Sequence, residues 1–257
     1  MTLEQIAQAL RNVKTSGITI SPIRQYLNQG DIDSAYEIQK INNTYRIQQG
    51  EKPVGKKIGL TSPSVQKQLG VDQPDYGLLF DTTEVKNGGS IPHSIIQQPK
   101  VEAEVAFVLK SDIEGANPSI DDIRKAIDYV VASIEIVGSR IENWDISILD
   151  TIADNASASH FVLGDDRVSL EETDLENCQM ELIINGNQVS TGSGKACMGS
   201  PLIAVQWLAQ KMHELGSPLR AGEIILSGAL GPMAAVNQGD EATAVIEGLG
   251  EVSVTFN

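Results

Sequence analysis

The chain has 257 residues, 41% of them hydrophobic, and carries 34 acidic against 19 basic residues, for a formal net charge of −15. This size allows one large domain, or a main domain with a small appended one, around a substantial core. The negative charge argues against binding to nucleic-acid phosphates or anionic membranes, and the 4% aromatic content offers no stacking platform for bases.

The first fifty residues have helical patterns. An apolar stripe over residues 3–10 predicts a first helix, and a second helix is predicted from about Asp33 to Gln49. Beyond Pro53 the pattern changes to short strands separated by turns. We therefore expect a helical amino-terminal portion, residues 1–52, followed by a main domain, residues 53–257.

The main domain begins with short elements. Apolar segments predict strands near 54–60 and 77–80, and residues 62–69 have the pattern of a short helix that ends at Gly70. Ser119 is a good cap for a helix that would run through Val131.

The second half of the chain is dominated by strand patterns. Asn185-Gly186 predicts a hairpin between strands over 181–184 and 188–190, and Ser200-Pro201 predicts the start of a helix to about Leu215. The tail predicts strands joined by glycine-rich turns, at 223–227, 242–247 and 251–256. Many strands with few regularly alternating helices favour an α+β fold over a doubly wound sheet.

Two glutamates in the apolar run 101–109 are the most informative feature. In a strand, Glu102 and Glu104 point to the same face, roughly 6.5–7 Å apart, close enough to share a cation. A third acid, Glu135, lies inside another apolar stretch, 129–137. Three such carboxylates suggest a hard divalent cation, Mg²⁺ or Mn²⁺, with positions open to substrate. The alternative is a solvated strand edge and one stray buried acid.

Other polar residues have two interpretations each. Lys57, beside small residues in an apolar segment, could transfer protons if its pKa is tuned, or could be an ordinary surface lysine. Asp75 lies in a turn-rich stretch, where its carboxylate could simply stabilise a turn. Asp154-Asn-Ala-Ser157 could orient a substrate carboxylate or cap a turn.

Several other chemistries are disfavoured. Gly192-Ser-Gly-Lys195 lacks the spacing of a phosphate-binding loop. The three histidines, His93, His160 and His213, lack metal-ligand spacing. The sequence also contains no motif of a covalent nucleophile. Cys178 and Cys197 are predicted to be reduced thiols of a cytoplasmic protein. Metal-assisted chemistry on a small anion is therefore the strongest remaining candidate mechanism.

The motifs together resemble those of a known family. They lie in order at 57–62 (Lys-Ile-Gly-Leu-Thr-Ser), 68–75, 98–105, 134–141, 154–157, 227–233 and 246–250. This set resembles the 2-keto-4-pentenoate hydratases, which belong with the 4-oxalocrotonate decarboxylases in the fumarylacetoacetate hydrolase superfamily. The resemblance covers essentially the whole chain.

The resemblance implies a fold and a set of site residues. The fold would be a mixed, strongly bent β-sheet roll with peripheral helices, assembled as a homo-oligomer. It implies that the metal ligands are Glu102, Glu104 and Glu135. It also implies that Lys57 and Asp75 are the acid–base pair, and that the substrate-binding serines are Ser157 and Ser227. The chain departs from the usual family pattern at Ser159, Ser200 and Ser227, which affects substrate choice rather than the three glutamates.

The resemblance also implies an activity. We expect a metal-dependent lyase that hydrates 2-hydroxypenta-2,4-dienoate to 4-hydroxy-2-oxopentanoate in the degradation of aromatic compounds. The alternatives are a decarboxylase of the related six-carbon keto-diacid and a non-catalytic partner of such an enzyme. A complex with a decarboxylase or an aldolase is also left open.

Overall fold

The computed structural model of the protein describes residues 1–62, 66, 71 and 73–257. The helix predicted over 62–69 lies largely outside these residues. In chain order the α-helices are α1 (Leu3–Ser16), α2 (Ile32–Gln48), α3 (Ile120–Ala126), α4 (Ile148–Ala153) and α5 (Pro201–Glu214). The strands are β1 (Pro53–Gly59), β2 (Asp75–Phe80), β3 (Glu84–Val85), β4 (Gly89–Ile91), β5 (Lys100–Leu109), β6 (Ile127–Val137), β7 (Ala158–Leu163), β8 (Gln179–Ile184), β9 (Asn187–Ser193), β10 (Ile224–Ala229), β11 (Ala234–Ala235), β12 (Glu241–Ile246) and β13 (Gly250–Phe256).

The two amino-terminal helices confirm the helical patterns of the sequence. α1 begins with a capping box, in which Thr2 and Gln5 exchange side-chain and backbone hydrogen bonds, and it ends at Gly17, whose φ is 71°. Asp31 caps the start of α2, and its carboxylate accepts a backbone N–H of the first turn. α2 packs against both α1 and α4, and buried residues of the three helices form one apolar cluster, so the helical portion shares a core with later residues.

The strands form two mixed sheets. The larger has the order β2–β1–β10–β5–β6–β7–β3, with β11 beside β5, and the smaller has the order β4–β13–β12–β8–β9. β1 runs parallel to β10, and β3 runs parallel to β7, whereas β5 is antiparallel to both of its long neighbours. One face of the larger sheet packs against the smaller sheet and α5 around the main core. This is the mixed sheet roll with peripheral helices that the sequence predicted.

Helix α3 is shorter than predicted. The Ser119 hydroxyl caps it, as expected, by accepting the N–H of Asp122. The helix ends at Ala126 instead of Val131, because β6 begins at Ile127. The β-branched residues that follow suit a pleated strand, and their pairing with β5 outweighs the helical pattern.

The predicted hairpin and late helix are confirmed. Asn185 and Gly186, with φ of 51° and 77°, form the tight turn between β8 and β9. α5 begins at Pro201, as the Ser200-Pro201 signal predicted. Among the described residues, no helix combines the length and the apolar character that a bilayer crossing requires.

Candidate active site

Three glutamates converge on one face of the larger sheet. Glu102 and Glu104 lie two residues apart on β5 and point to the same side. Glu102 pairs directly with Glu135 on the antiparallel strand β6. One carboxylate oxygen from each glutamate lies within 4.8 Å of the other two. The spacing along β5 and the register between the strands thus bring three acids to one point.

The cluster lies inside the protein. Glu104 and Glu135 are fully buried and Glu102 is partly buried, which excludes the solvated strand edge considered above. Burial, reinforced by Glu135 and Glu102, raises the pKa of Glu104 well above its ordinary value. Burial raises the pKa of Glu135 to about 7, although Lys57 opposes the shift. Without a counter-charge, the site therefore resists carrying three negative charges.

The donor set fits a divalent cation. Within the described chain, Glu104 Oε1 and Glu135 Oε1 have no hydrogen-bond partner. Buried carboxylate oxygens of this kind are costly unless a cation or a proton meets them. An all-oxygen set is the one that hard cations such as Mg²⁺, Mn²⁺ and Ca²⁺ prefer.

Ser227 and Gly228 support the cluster from β10. The Ser227 hydroxyl accepts the Val105 N–H at 3.3 Å and donates to the Gly228 carbonyl at 3.1 Å. The Gly228 N–H donates to Glu104 Oε2 at 2.9 Å. Gly228 has a φ of 102°, and a Cβ there would overlap Thr61, so the position requires glycine. The observed contacts of Ser227 are with backbone, and its predicted role in substrate binding stays a prediction.

Lys57 joins the cluster from β1. Its Nζ lies 3.1 Å from Glu135 Oε2 and donates to the Ala156 carbonyl at 2.9 Å. The side chain is 3% exposed, so it is not the surface lysine of the alternative interpretation. Burial disfavours its charge, but Glu135 and the other nearby carboxylates outweigh burial and raise the pKa of Lys57. This direction favours the ammonium form of Lys57 over the neutral amine.

Asp75 borders the same space. It begins β2, is fully buried, and accepts a hydrogen bond from Thr151 Oγ1 at 3.2 Å. Burial raises the pKa of Asp75, against the opposing effects of Lys57 and Thr151. Gly59 pairs with Asp75 across the strands, and a Cβ built on Gly59 would overlap Asp75 Oδ1 and lie 3.3 Å from Lys57 Nζ. The acid and the ammonium thus face one small space that a side chain at residue 59 would fill.

The turn that carries Ser157 is strained. Asn155, Ala156 and Ser157 all have φ between 51° and 58°, a left-handed conformation that is unfavourable for residues with side chains. The Asn155 side chain holds the turn by accepting the Leu78 N–H and donating to the Leu78 carbonyl. The turn presents the Ala156 carbonyl to Lys57 and buries Ser157, whose Oγ lies 3.4 Å from Thr151 Oγ1. Consecutive strained residues of this kind are typical of functional sites.

Comparison with known proteins identifies the family of the chain. The sequence model of the fumarylacetoacetate hydrolase C-terminal family matches residues 61–257. The chain is 50% identical to a 2-keto-4-pentenoate hydratase of Burkholderia vietnamiensis over 99% of this chain and 97% of that protein. It is 51% identical to a 2-keto-4-pentenoate hydratase of Paraburkholderia xenovorans over 98% and 94%, respectively.

Among solved structures, the chain is similar to the 4-oxalocrotonate decarboxylase of Pseudomonas putida G7, solved with magnesium and adipate. The TM-score is 0.95 and the identity 34%, over 99% of this chain and 97% of that one. The chain belongs to the 2-keto-4-pentenoate hydratase family of the fumarylacetoacetate hydrolase superfamily. The matched region contains the three glutamates, whereas Lys57 and both amino-terminal helices precede it.

In this family member the structure brings most of the predicted residues together. Glu102, Glu104 and Glu135 meet at one point, and Lys57 contacts Glu135. Asp75 and Ser157 are linked through Thr151. The histidines are not part of the cluster of three glutamates; His160, for example, lies with its Nδ1 2.9 Å from Ser159 Oγ.

Sequence reasoning missed several supporting groups. Thr151 precedes the quoted motif Asp154–Ser157 by three residues, and a helix ending at that motif could have suggested it. Gly59 and Gly228 lie inside motifs that carry the family resemblance, but neither had an assigned role. Gln39 gave no local signal, because its contacts with the site come from helix packing.

Proposed function

We propose that this protein is a metal-dependent hydro-lyase that adds water to 2-hydroxypenta-2,4-dienoate, the enol of 2-keto-4-pentenoate, and yields 4-hydroxy-2-oxopentanoate. The observation that carries the proposal is the convergence of three buried glutamates beside Lys57, in a chain about half identical to named 2-keto-4-pentenoate hydratases. A small, acid-lined site of this kind suits a 2-oxo acid that binds together with a cation.

Glu102, Glu104 and Glu135 would hold Mg²⁺ or Mn²⁺. Once bound, the cation would polarise the 2-oxygen and the carboxylate of the substrate and stabilise the charge that develops there. The choice of a divalent cation is supported by the partnerless oxygens of Glu104 and Glu135 and by their raised pKa values. The Gly228 N–H fixes the orientation of the Glu104 carboxylate.

Lys57 and Asp75 would move the protons. In the first stage, Asp75 takes the proton of the 2-hydroxyl while Lys57 delivers a proton to carbon 5, which converts the dienol to 2-oxopent-3-enoate. Asp75 then returns its proton to Lys57. In the second stage, Asp75 takes a proton from water as the hydroxide adds at carbon 4, and Lys57 protonates carbon 3. Asp75 then again returns its proton to Lys57, so both groups recover their starting states. The net result of the two stages is the addition of one water molecule.

Ser157 would contact the substrate carboxylate. Its hydroxyl is buried next to Thr151 in the strained turn that also holds Lys57. A hydroxyl fixed in this way can donate to an anionic oxygen without further ordering.

Decarboxylation of 4-oxalocrotonate is the second candidate. It is favoured by the similarity to the decarboxylase of Pseudomonas putida G7, whose chain superposes with a TM-score of 0.95. Hydration is preferred because the identity to the named hydratases is about 50%, against 34% for the decarboxylase.

Assaying both acids separates these candidates. Purified protein with Mg²⁺ is given 2-hydroxypenta-2,4-dienoate, and the loss of dienol absorbance is followed together with NMR detection of 4-hydroxy-2-oxopentanoate. The six-carbon keto-diacid is then supplied, and CO₂ release is measured. Hydration without CO₂ release supports the proposal, CO₂ release supports the second candidate, and inactivity with both acids contradicts both.

We also propose a cytoplasmic homo-oligomer. Cys178 and Cys197 are free and buried, which suits a reducing compartment. The face of the sheet that carries the glutamates opens at its far end into a groove of about 500 Å³. Its rim carries two acidic and two basic residues, which are Glu84, Asp165, Lys86 and Arg167. Its floor is apolar and includes Val108, Val131, Leu163 and Ile224. The Arg167 guanidinium lies over the ring of Tyr129.

A second copy of this chain is the expected occupant of the groove. The chain as a whole has 34 acidic and 19 basic residues, so two copies repel each other except where charges balance. A rim with equal numbers of acidic and basic residues lets two copies meet there without net repulsion, which suits a two-fold interface between identical patches. Leu163→Lys should reduce the mass measured by light scattering, whereas Ile18→Lys, at an exposed apolar residue outside the groove, should not. An unchanged mass in Leu163→Lys would contradict this interface.

A further inference from the structure

Helix α2 turns one face toward the proton-transfer side of the site. Tyr36, Gln39 and Asn43 follow each other at helical spacing, so they share this face. The Tyr36 ring stacks on Tyr76 with centroids 4.7 Å apart. The Asn43 amide donates to the Asn155 side chain at 3.5 Å. Each contact is made with a segment that carries a candidate site residue.

Gln39 makes the central contact. Its side chain is 3% exposed, and its Nε2 donates to the carbonyl of Tyr76 at 2.9 Å and to the carbonyl of Ile152 at 3.0 Å. Tyr76 directly follows Asp75 on β2, and Ile152 directly follows Thr151 on α4. One amide therefore holds together the two segments whose side chains form the Thr151–Asp75 hydrogen bond.

Thr151 is the contact through which this arrangement reaches Asp75. It is 4% exposed, donates to Asp75 Oδ2 at 3.2 Å, and lies 3.4 Å from Ser157 Oγ. A carboxylate that exchanges protons with a substrate must keep one orientation, and a misplacement of about 1 Å can lower the rate about 100-fold. Of the two orienting residues, Gln39 lies outside the region that the family model matches. Thr151 lies on a separate helix, α4.

We propose that Thr151 and Gln39 are positioning residues for Asp75, so that the amino-terminal helical portion takes part in the reaction without contacting the substrate. The inference rests on the proposed function, because it assigns Asp75 to proton transfer. It gives α2 a role beyond covering the sheet.

The hydroxyl of Thr151 is tested by two substitutions. Thr151→Val keeps the shape of the side chain and removes the donor, whereas Thr151→Ser keeps the donor. We expect Thr151→Val to lower kcat about 10- to 100-fold and Thr151→Ser to stay within about 3-fold of the wild type. The Mg²⁺ dissociation constant, measured by calorimetry, should remain unchanged, since the glutamates lie on β5 and β6.

The role of Gln39 is tested by substitutions on α2. Gln39→Leu should lower kcat as Thr151→Val does, while Gln48→Leu, an exposed glutamine on the same helix, should match the wild type. The proposal is overturned if Thr151→Val keeps wild-type kcat, if Val and Ser variants lose activity equally, or if Gln39→Leu changes thermal unfolding but not kcat.

The inference can be separated from the proposed function. If the wild type does not hydrate the dienoate, the proposed function fails, and the positioning role is judged from crystal structures of the wild type and both Thr151 variants. The role stands if the Asp75 carboxylate rotates or splits into several positions in Thr151→Val and keeps its place in Thr151→Ser. It fails if Asp75 has one unchanged position in all three.

Discussion

Lys57 Nζ lies 3.1 Å from Glu135 Oε2, and both side chains are almost fully excluded from solvent. This ion pair connects the two halves of the site, because Glu135 also belongs to the cluster with Glu102 and Glu104. The carboxylate that would help to hold a cation therefore also keeps the neighbouring amine charged. Substitutions in the two halves should consequently have opposite effects on cation affinity.

Glu104→Gln should weaken cation binding and abolish hydration. It removes one of three anionic ligands, and we expect Mg²⁺ affinity to fall by about 100-fold or more. The metal-free protein should be at least as stable as the wild type, because the substitution removes a carboxylate whose pKa is raised first by burial and then by the nearby Glu135 and Glu102. Calorimetric titration with Mg²⁺ and thermal unfolding in chelator measure the two effects.

Glu181→Gln is the matched control for this experiment. Glu181 is also a strand glutamate, on β8, but it is exposed. It should leave Mg²⁺ affinity and turnover unchanged. Wild-type turnover by Glu104→Gln in chelator-treated buffer would remove Glu104 from the metal site.

The sequence predicted the part of the site that depends on local geometry. Alternation along a strand places Glu102 and Glu104 on one face, and β5 confirms it. Glu135 is 31 residues beyond Glu104, and its place opposite Glu102 depends on the register of β6, which spacing alone does not fix. Its place in the apolar stretch 129–137 made it a candidate third ligand, and the family resemblance supported that choice.

The errors and omissions have the same physical origin. The helix from Ser119 was extended to Val131 because a local pattern could not show that pairing with β5 begins at Ile127. Gln39 and Thr151 were missed because their partners lie 37 and 76 residues away, respectively. Contacts of this range are set by tertiary packing and leave no periodic pattern in the sequence.

Lys57→Met should stop turnover without weakening cation binding. Loss of the proton donor is expected to lower kcat by about 10²- to 10⁴-fold. The substitution also removes a positive charge next to Glu135, so Mg²⁺ should bind as tightly as in the wild type or more tightly. Steady-state kinetics and calorimetry check both parts.

Lys56→Met provides the control on the neighbouring residue. Lys56 is also buried and ion-paired, but its partner is Glu223, and it points to the opposite face of β1. It should lower stability while keeping kcat. Equal losses of kcat in the two variants would show that Lys57 acts through the strand rather than through its amine.

Gly59→Ala should damage the site through sterics alone. A methyl group at this position would overlap the Asp75 carboxylate and lie 3.3 Å from Lys57 Nζ. We expect destabilisation by about 1–3 kcal/mol and a large fall in kcat, because the carboxylate must move. Gly115→Ala is the control, since a Cβ there meets open space. Normal kcat in Gly59→Ala would mean that the space between the acid and the ammonium is not used in the reaction.

Asp154, which is buried, and His160, which is partly buried, should give opposing pH dependences of stability. Burial raises the pKa of Asp154 from 3.8 to about 6, although Arg140 opposes the shift. Burial, together with Lys14, Arg140 and Arg46, lowers the pKa of His160 from 6.5 to about 4. The stabilising contribution of Asp154 is therefore full below its unfolded pKa and lost as pH rises through about 6. That of His160 is full above its unfolded pKa and lost as pH falls through about 4.

Single substitutions should separate these two dependences. Between about pH 4 and pH 6, Asp154→Asn removes the contribution that falls with pH, so its free energy of unfolding should rise with pH more steeply than that of the wild type. His160→Gln should do the reverse, and in each case the difference in slope is at most about 1.4 kcal/mol per pH unit. Urea unfolding at several pH values measures the free energies, and subtraction of the wild-type curve removes the contributions of groups common to both proteins. Curves that stay parallel to the wild type across this range would show that neither residue titrates differently in the folded and unfolded states.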